Sequence, residues 1–422
     1  MQMTGPDRTA PEPAPPLAPR IAASLARVAR GNLCAGCGAC AAIAPGRITM
    51  ATSAEGFLRP VQTVELSAAE DAQVARVCPG LGQEVRPEAR RDDVLWGPHV
   101  SVETGWATDP ALRFAGSSGG ALSALLVHLL AAGRVDAVVQ TAAAPDFSIG
   151  NATVISLDAA MISAAAGSRY APSAPLADLA WHRAEGRRLA FVGKPCDAAA
   201  LRALCAEDAG WAAAFPVILS FFCAGVPSHR GGRAVLAALG ADPQEVTAFR
   251  YRGNGWPGRA TAVLRDGSTR SMSYHESWGG ILSKHVQHRC KICADGTGTA
   301  ADIVCADAWE SDAQGYPLFD EAEGVSLIVA RSALGAELIA EARTAGRIET
   351  APFDLAHLAA IQPGQRERRR ALLARLLALR LAGRPVPRYG GLHLVAAARQ
   401  NPLARNLRNF AGMLRRVLRG RL

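Results

Sequence analysis

Three closely spaced cysteines constrain this chain more than any other feature. They form a Cys-x2-Cys-x2-Cys run, made of Cys34, Cys37 and Cys40. Thiolates at this spacing bind one corner of a cubane iron–sulfur cluster, and small intervening residues keep the backbone close to the inorganic sulfides. In ferredoxins the pattern continues with three residues, a fourth cysteine and a proline, whereas here Ala44 precedes Pro45. Cys78, in a Cys-Pro-Gly turn, is the expected fourth ligand, so the run predicts a [4Fe–4S] cluster.

A second group of cysteines is dispersed along the chain and consists of Cys196, Cys223, Cys290 and Cys293. Cys290 and Cys293 form a Cys-x2-Cys pair, which is compatible with zinc, with a redox dithiol or with a cluster. If the fold brings the four thiols together, they make a second [4Fe–4S] site. A lone cysteine is more often a small buried hydrophobic residue, and we interpret Cys205 and Cys305 in that way.

Two other interpretations of the cysteines compete with iron–sulfur clusters. Zinc is the competing metal at the first group, although zinc sites generally pair two separated Cys-x2-Cys units. Disulfides are disfavoured, because residues 1–20 lack the apolar core of an export signal and the cytosol keeps thiols reduced. We therefore expect a cytoplasmic protein that begins with a disordered lead-in at 1–20 and a short helix at 21–30.

The net charge of +9 is concentrated at the C-terminal end. From residue 366 onward there are fifteen arginines and one acidic residue, so the rest of the chain is net acidic. Leucines recur there at helical spacing, which predicts basic amphipathic helices. Such helices either dock peripherally on an anionic membrane or an acidic partner, or pack their leucines on the body as a solvated cap. Nucleic-acid binding has the least support, because no aromatic ladder or fingerprint motif accompanies the arginines.

The order of the sequence patterns predicts an α+β fold. A small ferredoxin-like Cys-rich segment precedes a mixed α/β body, in which helical spacing at 121–132 is followed by apolar strands at 134–140 and 188–192. A helical basic C-terminal tail closes the chain. The predicted parts are 1–30, 31–95, 96–245, 246–350 and 351–422. Residues 209–226 carry no charge, but Pro216 interrupts them, which favours an apolar turn and a buried strand over a membrane span.

Several further blocks stand in order along the chain: Gly116-Ser-Ser-Gly-Gly120, Gly167-Ser-Arg-Tyr170, Gly193-Lys-Pro-Cys196, Phe222-Cys223, Tyr251-Arg-Gly-Asn-Gly-Trp256, Ala301-Asp302 and Asp307-Ala-Trp309. Together with the cysteine groups, they resemble the coenzyme F-420 hydrogenase/dehydrogenase beta-subunit family over roughly residues 32–330. The resemblance implies an FAD protein with one or two cubane clusters. Relatives in this family include deazaflavin-reducing subunits, formate dehydrogenase subunits and chlorophyllide reductases.

The resemblance also implies which residues hold the flavin. The cofactor-binding candidates are Ser117, Ser118, Gly119, Gly120, Ser168, Arg169, Tyr170, Gly193, Lys194, Pro195, Asn254 and Asp307. The Gly-Ser-Ser-Gly-Gly loop precedes a predicted helix, where backbone N–H groups can receive a phosphate, although it also suits an ordinary serine N-cap. Lys194 is the catalytic candidate, because its charge beside the flavin N1/C2=O edge would stabilise the reduced anion. The alternative interpretation is that Lys194 is an ordinary solvated lysine in a loop.

The sequence therefore predicts an oxidoreductase that relays single electrons through [4Fe–4S] clusters to FAD for hydride reduction of an organic acceptor. A ferredoxin-like donor or a partner redox subunit would supply the electrons. Two other hypotheses stay open. One is an electron-transfer subunit without its own substrate site, docked through the Arg-rich tail, and the other is a zinc-stabilised binding module.

Overall fold

The computed structural model describes residues 19–309 and 321–420. Most of the predicted lead-in, residues 1–18, lies outside the described residues, and the short helix expected at 21–30 is observed at Ala23–Gly31. The Cys-rich segment contains, in chain order, α1 (Ala23–Gly31), α2 (Ala39–Ile43), β1 (Ile48–Thr52), β2 (Leu58–Gln62), α3 (Ala68–Val77), β3 (Gly82–Glu84), β4 (Arg91–Asp93) and β5 (Gly97–His99).

The body alternates strands and helices. Its first part contains β6 (Ser101–Ala107), α4 (Pro110–Ala115), α5 (Ala121–Ala131), β7 (Ala137–Ala144), β8 (Phe147–Ser156), α6 (Ala159–Ala164), α7 (Leu179–Ala184), β9 (Leu189–Gly193), α8 (Pro195–Glu207), α9 (Ala209–Ala214), β10 (Val217–Phe221) and α10 (His229–Ala238). Its second part contains β11 (Val246–Arg250), β12 (Arg259–Leu264), β13 (Thr269–Ser273), a π-helix (His275–Ile281), a 3-10 helix (Leu282–His285), α11 (His288–Lys291), β14 (Ile303–Asp307), β15 (Ser326–Ala330), α12 (Ala333–Thr344) and β16 (Ile348–Pro352).

One large mixed sheet organises the body. Its strands follow the order β16-β6-β15-β14-β10-β9-β7-β8. The central strands β14, β10, β9 and β7 are parallel to one another, and the strands on either side pair antiparallel. Strands β9 and β10 are almost entirely buried apolar runs, as expected for parallel strands that are covered on both faces. The mixed α/β character predicted for the body is therefore confirmed.

Helices cover both faces of this sheet. Phe191, Ile218 and Val304 point to the face on which α8 packs. Their neighbours Ala190 and Leu219 point to the opposite face, on which α5 and α12 pack. This alternation follows from the two-residue period of a strand. The layers fix the carboxyl ends of the central strands at one edge of the sheet.

The C-terminal part is helical, as predicted. After a 3-10 helix (Leu355–His357) come α13 (Leu358–Ile361), α14 (Pro363–Leu381), β17 (Arg388–Gly390), α15 (Leu394–Arg399) and α16 (Leu403–Leu418). In α14, Leu372, Leu376 and Leu379 are buried against the Cys-rich segment, so this helix is a packed part of the molecule. In α16, by contrast, Leu403 and Leu407 are exposed.

No helix among the described residues is both long enough and apolar enough to cross a bilayer. The uncharged stretch at 209–226 forms the short helix α9 and the buried strand β10. The predicted buried strand is confirmed, whereas the predicted apolar turn before it is the short helix α9.

Gly38 gives the first testable prediction. It has φ +89°, and a Cβ on it would lie 2.6 Å from the backbone nitrogen of Ala177. We expect Gly38→Ala to lower the free energy of unfolding by about 2–4 kcal/mol, from backbone strain and overpacking together. The measurement is urea unfolding followed anaerobically by circular dichroism.

Gly46→Ala is the matched control. Gly46 has a similar φ of +74°, but a Cβ on it would have nothing within 4 Å. It therefore incurs the backbone strain alone, about 1 kcal/mol. Equal losses in the two variants would contradict the close approach of Gly38 to Ala177.

Candidate functional site

The first cysteine set lies where α1, α2 and α3 meet. Cys34 and Cys37 stand in the loop after α1, Cys40 lies in α2, and Cys78 follows the last residue of α3. All four line one small cavity whose remaining walls are mostly apolar. Cys78 thus joins the triple run as predicted, and the position of the missing ferredoxin cysteine, Ala44, is fully buried beside it.

Burial sets the electrostatics of this set. It raises the pKa of Cys37 well above the ordinary value, and the nearby Cys78 raises it further. Burial and the charge of Cys34 raise the pKa of Cys78 to about 11. Thiolates in such a place need positive charge close by, and a metal centre is one source of it.

The second cysteine set gathers at the sheet edge. Cys196 lies in the first turn of α8, Cys223 follows β10, Cys290 lies in α11, and Cys293 follows that helix. Burial and Cys290 raise the pKa of Cys223 to about 12, and Cys293 adds to the shift. Burial and the charge of Asp197 raise the pKa of the half-buried Cys196, and Cys223 adds to this rise. The four cysteines that are dispersed in sequence therefore lie within electrostatic range of one another.

Hydrogen bonds to sulfur accompany both sets. The backbone N–H of Gly36 donates to Cys34 Sγ at 3.3 Å. The backbone N–H of Val226 and the side-chain amide of Gln287 donate to Cys290 Sγ at 3.4 and 3.5 Å. Such donors stabilise thiolates rather than thiols.

Neither set has the spacing of a single-ion site. Across residues 19–309 and 321–420, no three Cys, His, Asp or Glu side chains converge closely enough to hold one metal ion. The cysteines nevertheless surround a common cavity in the first set, and in the second set Cys290 and Cys293 raise the pKa of Cys223. This wider spacing suits a multi-atom group better than one zinc ion, because the metal atoms of a cluster stand between its ligands.

Arg289 lies between the two sets. It is 3% exposed, and its Nη2 donates to the carbonyl of Pro79 at 2.7 Å. Its Nε and Nη1 have no hydrogen-bond partner among the described residues. Buried unpartnered donors of a charged group are costly, at about 1–3 kcal/mol or more each. These donors fit the sulfur atoms of a bound cluster.

A large cavity opens at the carboxyl ends of the parallel strands, and its volume is about 290 Å³. Ligands of open α/β sheets bind at this edge, and small-molecule pockets begin at about 300 Å³. Nine of the predicted cofactor-binding residues line it: Ser117, Ser118, Gly120, Ser168, Arg169, Tyr170, Gly193, Lys194 and Asp307. Gly119, Pro195 and Asn254 do not line it.

The serine loop is positioned by contacts within the fold. Gly120 is the N-cap residue of α5, and no side chain caps that helix. The hydroxyl of Ser117 accepts a hydrogen bond from the backbone N–H of Ser168 at 2.6 Å, which joins two of the predicted blocks. The ordinary interpretation as a serine N-cap is therefore not what the structure shows.

Lys194 is not a solvated loop lysine. It is 7% exposed, and its ammonium lies 2.7 Å from the Asp197 carboxylate and 2.8 Å from Ser173 Oγ. Burial alone lowers the pKa of Lys194, but the charge of Asp197 more than offsets this effect, so the pKa lies above its ordinary value. Lys194 therefore contributes a fixed charge, partly neutralised by Asp197, to the cavity wall.

Arg169 and Asp307 have structural partners that the sequence did not reveal. Arg169 donates to the carbonyls of Phe249 and Gly150 at 2.7 and 2.5 Å, which uses donors that were predicted for a phosphate or ribose. Asp307 forms a bidentate ion pair with the buried guanidinium of Arg252, at 2.9 and 2.6 Å. Each of these side chains shapes the cavity wall through such contacts.

Helix α14 and its N-cap residue supply site residues that sequence reasoning missed. Gln362 and Gln365 line the large cavity. Gln365 Nε2 donates to the carbonyl of Cys223 at 3.0 Å, and Arg368 donates to the same carbonyl at 2.9 Å. Helical periodicity predicted α14 itself, but no sequence signal indicates which of its polar residues reach the site.

The three regions are contiguous. The pKa of Cys196 in the second set is affected by Cys37 of the first set. Cys223 belongs to the second set and also lines the large cavity. A path therefore runs from the first set through the second set to the cavity.

These features define an α/β protein with two four-cysteine sets beside a ligand-sized cavity. The family model described as "Coenzyme F420 hydrogenase/dehydrogenase, beta subunit N-term" matches residues 102–180, and the companion model for the C terminus of that beta subunit matches residues 186–355. The two matches cover more than half of the chain. The chain belongs to the coenzyme F420 hydrogenase/dehydrogenase beta subunit family, as the sequence blocks predicted.

Comparison with solved structures supports the fold. A chain of the F420-reducing [NiFe] hydrogenase complex from Methanosarcina barkeri, from a xenon-derivatised form, is 21% identical with a TM-score of 0.50. The similarity covers 66% of this chain and 95% of that chain. No curated protein matches the sequence. The family name denotes subunits of hydrogenases and dehydrogenases, which suggests an oxidoreductase role.

The Arg252–Asp307 pair gives the second prediction. Asp307→Asn leaves the buried charge of Arg252 without its carboxylate, so we expect the free energy of unfolding to fall by on the order of 3 kcal/mol. The measurement is the urea unfolding midpoint. Asp136→Asn is the control, because Asp136 forms a similar bidentate pair with exposed Arg188, and such pairs contribute little. Equal effects of the two changes would contradict the buried pair.

Proposed function

We propose that this chain is an iron–sulfur flavoprotein oxidoreductase. Each four-cysteine set holds a [4Fe–4S] cluster, and the large cavity holds FAD. When bound, these groups supply one-electron transfer at the clusters, and at the flavin both one-electron exchange and hydride reduction of an organic acceptor. The observation that carries the proposal is the contiguity of the two sets and the cavity, with Cys223 common to the second set and the cavity.

The cysteine spacing favours clusters over the zinc-stabilised module. A zinc ion draws four ligands to about 2.0–2.3 Å, and none of the described residues form such a group. The orphaned donors of Arg289 suit the sulfur atoms of a cluster.

The chain's own residues prepare the cavity for an anionic, planar cofactor. The loop at Gly116–Gly120 presents serine hydroxyls and glycine backbone close to the α5 N-terminus, which suits a phosphate. Tyr274 and Trp309 flank the buried guanidinium of Arg252, at 4.5 and 5.0 Å from their ring centroids. Lys194 adds its buried charge to the lining from the loop between β9 and α8.

Cofactor content gives the third prediction. Anaerobically purified chain should contain about eight irons, about eight sulfides and one FAD. Cys78→Ser and Cys290→Ser should each lose about half of the iron, because each removes a ligand of a different set. Cys205→Ser, in the same helix as Cys196 but outside both sets, should keep the full content. Zinc without flavin in the unaltered chain would refute the oxidoreductase proposal.

A second candidate function is an electron-transfer subunit of a larger complex without its own substrate site. The solved structure that shares the fold is a chain of a hydrogenase complex, which favours a partner redox subunit as the source or recipient of electrons. Turnover of small organic acceptors by the purified chain with reduced ferredoxin separates the two candidates. Cofactor reduction without turnover of any acceptor would favour the subunit.

We also propose that α16 docks the chain peripherally on an anionic membrane from the cytoplasmic side. Leu403, Leu407 and Leu418 are 74%, 59% and 78% exposed on one side of the helix, and exposed Arg408 and Arg416 lie on its other side. A helix with this division lies in the headgroup region of a bilayer. An acidic protein would satisfy the arginines but leave the leucines in water.

Vesicle binding gives the fourth prediction. Co-sedimentation with phosphatidylserine-containing vesicles should weaken about a hundredfold or more when Leu403 and Leu407 are both replaced by serine, because each buried leucine contributes more than about 1.4 kcal/mol, which is about a factor of ten in affinity. Val61→Ser, an exposed residue on β2, should leave binding unchanged. If the unaltered chain does not co-sediment with anionic vesicles, the docking proposal fails while the redox proposal stands.

A further inference from the structure

Arg289 has an unusual environment for a buried arginine. It directly precedes Cys290 in α11, and its Nη2 bonds to the carbonyl of the residue after Cys78. It therefore connects the backbone of one cysteine set to that of the other. Its remaining guanidinium donors, Nε and Nη1, have no partner among the described residues.

The charge of Arg289 acts on both sets. It opposes the rise in the pKa of Cys34 and Cys78 that burial causes. In the second set it interacts with Cys290, Cys293 and Cys196. An aromatic ring fixes its position, since the guanidinium carbon lies 5.8 Å from the ring centroid of Tyr389, whose hydroxyl donates to the Ile292 carbonyl.

Other buried arginines do not share this arrangement. Arg331 is 1% exposed and donates to the carbonyls of Trp96, Pro98 and Thr297. Arg369 donates to the carbonyls of Val94 and Ala294. Arg331 leaves one nitrogen, Nε, without a hydrogen-bond partner among the described residues, whereas Arg289 leaves two and lies within electrostatic range of both cysteine sets.

We propose that Arg289 is a positioning residue that sets the reduction potentials of both clusters, through N–H donors to their sulfur atoms and a positive charge between them. The inference rests on the proposed function, because it requires both clusters. Hydrogen bonds to sulfur and net charge are two of the factors that set cluster potentials. Both stabilise the reduced cluster, which carries one more negative charge, and so both raise the potential.

The test is a redox titration followed by electron paramagnetic resonance on the complete protein. Arg289→Gln removes the charge and should make reduction of each cluster at least about tenfold less favourable, which corresponds to about 59 mV for a one-electron couple. Arg289→Lys keeps the charge without the fork of donors and should shift the potentials less. Arg331→Gln removes an equally buried arginine and should leave both potentials unchanged.

The outcomes separate this inference from the proposed function. If the unaltered chain binds no cluster, both fail. If clusters assemble in Arg289→Gln with potentials equal to those of the unaltered chain, only the inference fails. If Arg289→Gln does not assemble clusters, the Arg289→Lys variant is used for the test. Cluster potentials in Arg289→Lys that equal those of the unaltered chain would then refute a role for the N–H donors of Arg289. If Arg331→Gln shifts the cluster potentials as much as Arg289→Gln does, the inference also fails, because the shift would then come from a general loss of packing.

Discussion

The compensation of buried negative charge is the constraint on which the rest of the molecule depends. Eight cysteines lie in two sets, and burial raises the pKa of most of them. Thiolates in that environment require cations or hydrogen-bond donors. Arg59 and Arg289 provide them at Cys34, and Arg368 provides one at Cys223. The arginine-rich C-terminal region is therefore partly an internal feature, since α14 brings Arg368 to the second set.

The local patterns predicted the parts of the site that lie close together in sequence. The triple cysteine run needs only a loop and one turn of helix to converge, and Cys78 completes it because α3 ends beside that loop. The apolar run at 188–192 predicted β9 with bounds correct to one residue, and the uncharged stretch at 209–226 predicted the buried strand β10 within it. In these cases short-range geometry alone determines the outcome.

The remaining parts depend on topology that one sequence does not reveal. Cys196 and Cys205 both lie in α8, yet only Cys196 is at the end that faces the sheet edge. Arg169 stands in a motif that suits a phosphate, but its donors go to backbone carbonyls made available by strands distant in sequence. A polar side chain can bond to several partners of similar energy. Its orientation can therefore be predicted only when the packing around it is known.

The first turn of α8 links the large cavity to the two cysteine sets. Lys194 contributes to the cavity wall, and Cys196 belongs to the second set. Asp197 bonds back to the Lys194 backbone N–H and ammonium, and its charge raises the pKa of Cys37 in the first set. Residues 194–197 thus line the cavity, contribute a cysteine to the second set and act electrostatically on the first set. Because this turn follows the buried strand β9 of the central sheet, the sheet fixes its position, and a charge change in one region acts electrostatically on the next.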